Sequence, residues 1–401
     1  MHWYKIIIAW HVLIEVLLNL WGLLNVRAVF RPTRQRTRIV FQAYAEHLAQ
    51  CFAPIIDRLQ KQAPEVEVHF IVLPHPHFTF RSVIDLRSFV RNCLKVSAPN
   101  VRFFWQVLWQ KYDLLVCTDV YARFPLRSTK KVLLKHGAGV ASRILTRHPF
   151  RKTIFDFDLV LVNGEADRDL LSRFGAEKFV AEKVIAVGLP YLDRLQTELG
   201  AREVYRRRMG IAANKKVALI GPSWRGLQAI EARDPGYFDE IIAVLRELDW
   251  EILIKMHACS FNKAMAQGED WAERLCRYSQ SRIHIDYDVD DVPAFLSADI
   301  LITDISSRAF DFMLLDKPVI AVLPDNLFTD DLDRERIRLL RQGALLIHSP
   351  AELKSAITHG MNKHDLLRAG RQHLARRSFA NPGRATQAVV EHLLRQVRTE
   401  N

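Results

Sequence analysis

The chain has 401 residues, 49% of them hydrophobic, and 57 Lys and Arg against 45 Asp and Glu. That length exceeds what one hydrophobic core usually serves, so two domains are expected. The formal charge of +12 suits an anionic membrane surface or phosphorylated ligands. Basic residues are spread along the chain and no helix-turn-helix, zinc-finger or RNP pattern occurs, so nucleic acid is not an expected partner. Five scattered cysteines without a CxxC argue against a disulfide framework or a zinc site and suit a reducing compartment.

Residues 6–30 are the most apolar stretch. His11, Glu15 and Asn19 recur every four residues, which aligns them on one side of a helix. The pattern predicts an amphipathic helix lying peripherally in the membrane interface, with Trp3, Trp10 and Trp21 near the headgroups. Arg27, Arg31, Arg34, Arg36 and Arg38 follow, and are expected at the cytoplasmic, anionic-lipid face. Packing of this helix on the protein's own core is an alternative. A single span would place Glu15 near the bilayer centre at a cost of about 2–3 kcal/mol or more. No small-residue cleavage site follows, so no removable signal peptide is expected.

Beyond the arginines, short apolar runs alternate with amphipathic helical patterns. Strands are expected over 38–41, 66–73, 112–117, 131–135 and 158–162, with a helix over 44–62. A charged helical connector covers 189–214. A second series then has strands over 216–221, 250–255, 282–285, 300–303 and 318–322. Its helices are expected over 237–248, 271–279, 307–315 and 332–341, and a polar helical tail over 353–398 closes the chain. Such alternation implies parallel βαβ units. The fold class is therefore α/β, with two tandem Rossmann-like domains facing across a cleft. The expected divisions are a membrane-associated 1–36, an acceptor domain 37–190, a connector 191–214, a nucleotide domain 215–380 and a terminal helix 381–401.

Four loops at expected strand ends carry residues that a core does not need. Lys135-His136-Gly137-Ala138-Gly139 offers a histidine suited to proton transfer at neutral pH and glycines that admit a ligand. Gly221-Pro222-Ser223-Trp224-Arg225-Gly226 offers Ser223 and Arg225 to phosphate oxygens, without the Walker A ending. Lys255-Met256-His257 offers a cation and an imidazole. Thr303-Asp304-Ile305-Ser306-Ser307 leads into a helix, where either serine caps and the helix start makes an anion site. In open α/β sheets these carboxyl-terminal strand ends are where ligands bind. Asp288-Val289-Asp290-Asp291 looks like a metal-binding DxD, but Asp290 or Asp291 reads as a helix cap.

In this order, His136-Gly137, Pro222-Ser223-Trp224-Arg225, Lys255-Met256-His257, Asp304-Ile305-Ser306-Ser307 and Phe310-Asp311-Phe312-Met313-Leu314-Leu315-Asp316-Lys317-Pro318 resemble the CDP-glycerol glycerophosphotransferase family. The resemblance covers roughly 131–386 and extends to Gly188-Leu189-Pro190-Tyr191-Leu192-Asp193 and Asn381-Pro382-Gly383-Arg384-Ala385. Ala258, Ile305 and the Asn381-Pro382 pair depart from the family's usual proline, aromatic and acidic residues.

The resemblance implies a GT-B fold. It implies transfer of an alditol phosphate from a CDP-linked donor to a hydroxyl of a lipid-linked glycan or polymer, releasing CMP, with no cofactor or metal. His136 is then the base. His257, Ser306 and Ser307 hold the pyrophosphate, Ser223, Arg225 and Lys255 add donors and charge, and Asp304 and Asp311 orient these groups or contact the donor's sugar. Two rivals share this sequence pattern: a GT-B glycosyltransferase using a nucleotide sugar, and a non-catalytic membrane-bound nucleotide-binding protein of a polymer assembly.

Overall fold

A computed structural model describes residues 37–72, 80–97, 100–103, 112–118, 129–137, 154–173, 176–263, 266, 268–278, 282–362 and 364–398. The amino-terminal helix expected over 6–30 and its basic flank lie outside the described residues. Among the described residues, no helix is long and apolar enough to cross a membrane.

The first series runs β1 (Arg38–Ala43), α1 (Glu46–Gln50), α2 (Ala53–Gln62), β2 (Glu67–Val72), α3 (Phe80–Asn92), β3 (Val101–Phe103), β4 (Leu114–Cys117), β5 (Lys130–Leu134), β6 (Leu159–Val162), α4 (Glu165–Arg173), α5 (Glu177–Lys183) and β7 (Val184–Ala186). The connector holds α6 (Arg194–Thr197) and α7 (Arg202–Arg208). The second series runs β8 (Val217–Ile220), α8 (Trp224–Arg233), α9 (Tyr237–Glu247), β9 (Glu251–Ile254), α10 (Trp271–Cys276), β10 (Ile283–Ile285), α11 (Val292–Ser297), β11 (Ile300–Thr303), α12 (Arg308–Met313), β12 (Val319–Val322), α13 (Asp331–Gly343) and β13 (Leu345–Ile347). Three helices close the chain: α14 (Leu353–Asn362), α15 (His364–Ser378) and α16 (Ala385–Arg398).

Both sheets have the doubly wound order. The first is β3-β2-β1-β4-β5-β6-β7 and the second β10-β9-β8-β11-β12-β13. Pairing is parallel from β3 through β6 and throughout the second sheet. A parallel sheet is covered on both faces, and its strands read as unbroken aliphatic runs. The second sheet follows that rule residue by residue. Val217, Leu219, Leu253 and Leu301 enter the core on one face, and Ala218, Ile220, Ile252, Ile254 and Ile302 the core on the other.

The described residues up to His136, those of 154–161 and those from Thr386 on form one compact unit. Gly137 and the described residues of Val162–Ala385 form the other.

The connector is held to the second sheet by Arg206, which is 2% exposed. Its guanidinium donates to the carbonyls of Ser297, Ala213 and Lys215 and to Asp299. That satisfies a buried charge on every side, as burial demands.

Candidate functional site

Strand order reverses between β8 and β11 in the second sheet, and ligands of open α/β sheets bind outside the strand ends at such a point. Asp304, just past β11, reaches across to the start of α8. It accepts from the Ser223 amide at 2.9 Å and from Ser223 Oγ at 2.9 Å. Ser223 Oγ in turn caps α8 by accepting from the Gly226 amide at 2.9 Å. Burial pushes the Asp304 carboxyl up to about 6, against the hydrogen bonds of Ser223 and the Ser306 amide, which favour the ionised form. The anion site at the start of α8 is thus filled from within the protein. Gly226 makes this possible, since a Cβ there would overlap Asp304 Oδ2 and lie 2.6 Å from Ser223 Oγ.

The start of α12 is arranged differently. Ser306 is buried and its Oγ accepts from the Arg308 amide at 3.3 Å. Ser307 occupies the cap position, half-buried, and its hydroxyl makes no capping bond. Asp311 lies one turn on and is 2% exposed. Arg225, by contrast, is exposed and its guanidinium sits over the Trp224 ring, 5.7 Å from the centroid.

Lys255 is buried, and its ammonium donates to Asp286 Oδ2 at 2.8 Å and to the Asp288 carbonyl at 2.6 Å. Its charge is therefore engaged by the loop after β10. Arg308, which directly follows the paired serines, donates to the Lys255 and Met256 carbonyls and to Asp291. It ties the end of β9 to the start of α12. Within the DxD-like run, Asp290 accepts from the Val292 amide at 3.0 Å at the start of α11 and pairs with Arg194. Asp291 holds the cap position, while its carboxylate faces Arg308.

The two histidines are fixed in opposite tautomers. His257 Nδ1 accepts from the Cys259 amide at 3.1 Å, so its proton resides on Nε2. In the first unit, His136 Nδ1 lies 2.6 Å from the Thr118 carbonyl. A carbonyl only accepts, so Nδ1 carries the proton and Nε2 of the neutral ring presents a lone pair.

Gly137 takes φ 70°, and a Cβ there would lie 3.8 Å from Ser307 Oγ. Its carbonyl accepts from Asn163 Nδ2 at 2.7 Å. Ala138 and Gly139 lie outside the described residues. Asn163 and Arg308 were missed from sequence, although each left a trace. Asn163-Gly164 directly follows the strand expected over 158–162, and Arg308 adjoins the serine pair.

The remaining motifs are structural locks. Lys317 Nζ donates to the carbonyls of Phe295, Leu296 and Ala298, the open end of α11. Gly188, at φ 94°, lies so close to the Ala380 carbonyl that a Cβ would overlap it. Asp193 Oδ1 accepts from the Ala385 amide at 2.9 Å, capping α16, and Asn381 Nδ2 donates to the Val187 carbonyl.

The chain is 24% identical over 269 residues to a teichoic acid glycerol-phosphate primase of Bacillus spizizenii, covering 65% of this chain and 63% of that protein. It is 30% identical over 150 residues to a teichoic acid glycerol-phosphate transferase of Staphylococcus aureus, covering 35% of each. The matched part thus spans less than two thirds of these curated relatives. Among solved structures, a wall teichoic acid polymerase superposes with a TM-score of 0.63 at 16% identity, covering 98% of this chain and 97% of that one. A UDP-GlcNAc 2-epimerase of Methanocaldococcus jannaschii superposes at 0.58 and 15% identity, covering 90% and 100%. The fold is therefore GT-B-like α/β. The chain matches over residues 23–394 the family described as CDP-glycerol:poly(glycerophosphate) glycerophosphotransferase, and it belongs to that family.

Proposed function

We propose that the protein moves an alditol phosphate, glycerol phosphate foremost, from a CDP-linked donor to a hydroxyl of a membrane-linked glycan or polymer, releasing CMP. The observation that carries this reading is the opposed pair of histidine tautomers. The His136 Nε2 lone pair suits removal of a proton from the acceptor hydroxyl, and the His257 Nε2–H suits donation to a phosphate oxygen. The acceptor oxygen bonds to the β-phosphorus, the pyrophosphate P–O bond breaks, and CMP departs with the electron pair. Such a transfer relies on positioning and charge neutralisation.

In this reading Ser306 and Ser307 join His257 on the pyrophosphate, with Arg225 adding positive charge from the exposed side. Ser223, Asp304, Lys255 and Arg308 keep the loops in place, the first two across the strand-order reversal. Residues 37–190 are assigned to the acceptor and 215–380 to the donor. The amino-terminal residues are assigned to peripheral attachment at an anionic cytoplasmic membrane face.

The test is turnover with CDP-glycerol, CDP-ribitol and UDP-sugars, identifying the released nucleotide. CMP release that requires an acceptor supports the proposal. Release of UDP from a nucleotide sugar, with CDP-alditols inert, would replace it with glycosyl transfer.

A further inference from the structure

Between α4, α13 and α15, within the second unit, lies a cavity of about 200 Å³. Arg173, Arg338, Arg377 and His373 line it, over a floor that includes Leu339 and Leu374. Glu335 accepts from Arg338 at 2.7 and 2.8 Å and from Arg173 at 3.4 Å, and Asp169 pairs with Arg377. Exposed arginines beside carboxylates are common and contribute little stability. Two further features set this group apart.

First, the walls are built to keep their shape. A Cβ on Gly370 of α15 would overlap the Gln342 carbonyl of α13, and one on Gly343 would lie 3.1 Å from the Arg371 backbone. One on Gly164, just before α4, would overlap the Arg377 carbonyl. Three glycines thus bring the three walls backbone to backbone. Second, these walls carry the loops of the candidate site. Arg336 of α13 donates to the Ile305 carbonyl at 2.9 Å, one residue before the serine pair. Asn163, two residues before α4, holds the Gly137 carbonyl.

Each guanidinium brings five N–H donors in a fork suited to phosphate. The carboxylates of Glu335 and Asp169 engage only some of the fifteen. We infer that this cavity is a second phosphate site, which takes a phosphodiester group of an alditol-phosphate chain while that chain's end is at the reaction site. The inference rests on the transfer reading for the identity of the chain, and on the cavity alone for the phosphate.

Calorimetry on the full chain with a glycerol-phosphate oligomer, sn-glycerol 3-phosphate and inorganic phosphate tests it. The double variant Arg173→Gln with Arg377→Gln should lose oligomer affinity about tenfold or more, the scale of losing charge-assisted hydrogen bonds. CDP-glycerol affinity should stay within about twofold. In turnover, KM for a polymeric acceptor should rise by a similar factor with kcat nearly unchanged. Arg377→Lys, which keeps the charge and loses the fork, should fall in between; thermal unfolding checks that each variant is folded. Oligomer affinity unchanged in the folded double variant overturns the inference. Inorganic phosphate binding as tightly as the oligomer also overturns it, in favour of a free anion. Arginine-dependent oligomer binding by a protein that shows no transfer supports the site and removes the transfer reading instead.

Discussion

A single ring nitrogen carries much of the proposed chemistry. His136→Ala should lower transfer by about 10²–10⁴-fold, the usual worth of a positioned acid–base group, while CDP-glycerol affinity in calorimetry stays near that of the parent. Asp304 acts differently, because its acceptor bonds to Ser223 and the Ser306 amide need the ionised form. As pH falls through about 6 the carboxyl takes a proton, so donor affinity should drop. Folding stability responds in the opposite sense. The folded chain binds this proton more tightly than an unfolded one with the ordinary value of 3.8, so the group's contribution to stability rises as pH falls from about 6 toward 4. Asp304→Asn should flatten both trends, in calorimetry against pH and in thermal melts. Gly226→Ala, which places a methyl against Asp304 Oδ2 and Ser223 Oγ, should cost about 1–3 kcal/mol in denaturant melts by overpacking.

At the level of elements, the long aliphatic strands could be read from the sequence because burial on both faces writes an unbroken apolar run. The three-residue strands β3, β7 and β13 escaped, whereas β10, equally short and also at a sheet edge, was expected over 282–285. The helix expected over 44–62 divides into α1 and α2, with Pro54 in the opening turn of the latter, where its missing N–H is harmless. The serine loop, the histidines and the lysine motif were all visible as residues. What they bond to was not, because Lys255 with Asp286 or Asp304 with Ser223 are neighbours only once strands from distant parts of the chain pair. Lys317 gives a direct check on such a lock. Lys317→Met should leave the end of α11 short of its donor and cost about 1–3 kcal/mol in chemical unfolding.

For the whole molecule, the proposed membrane attachment resides in the first 36 residues, which precede β1. A chain beginning at Thr37 should keep its nucleotide affinity and lose binding to vesicles containing anionic lipid. Full-length protein should be released from them by high salt, since each arginine near the surface contributes about 1 kcal/mol of screened attraction. Vesicle binding that the truncation leaves unchanged would move the attachment elsewhere.

The chain leaves the first unit for Val162–Ala385 and returns to it only from Thr386 on, where the Gln396 carbonyl accepts from Lys130 Nζ. The stretch that completes the first unit is therefore synthesised after the whole of the second. During translation, the half of the protein that is made first must wait longest for its last piece. A chain stopped at Ala385 should consequently emerge with β8–β13 ordered and its earlier half protease-sensitive, an inversion of the usual order in which amino-terminal domains finish first.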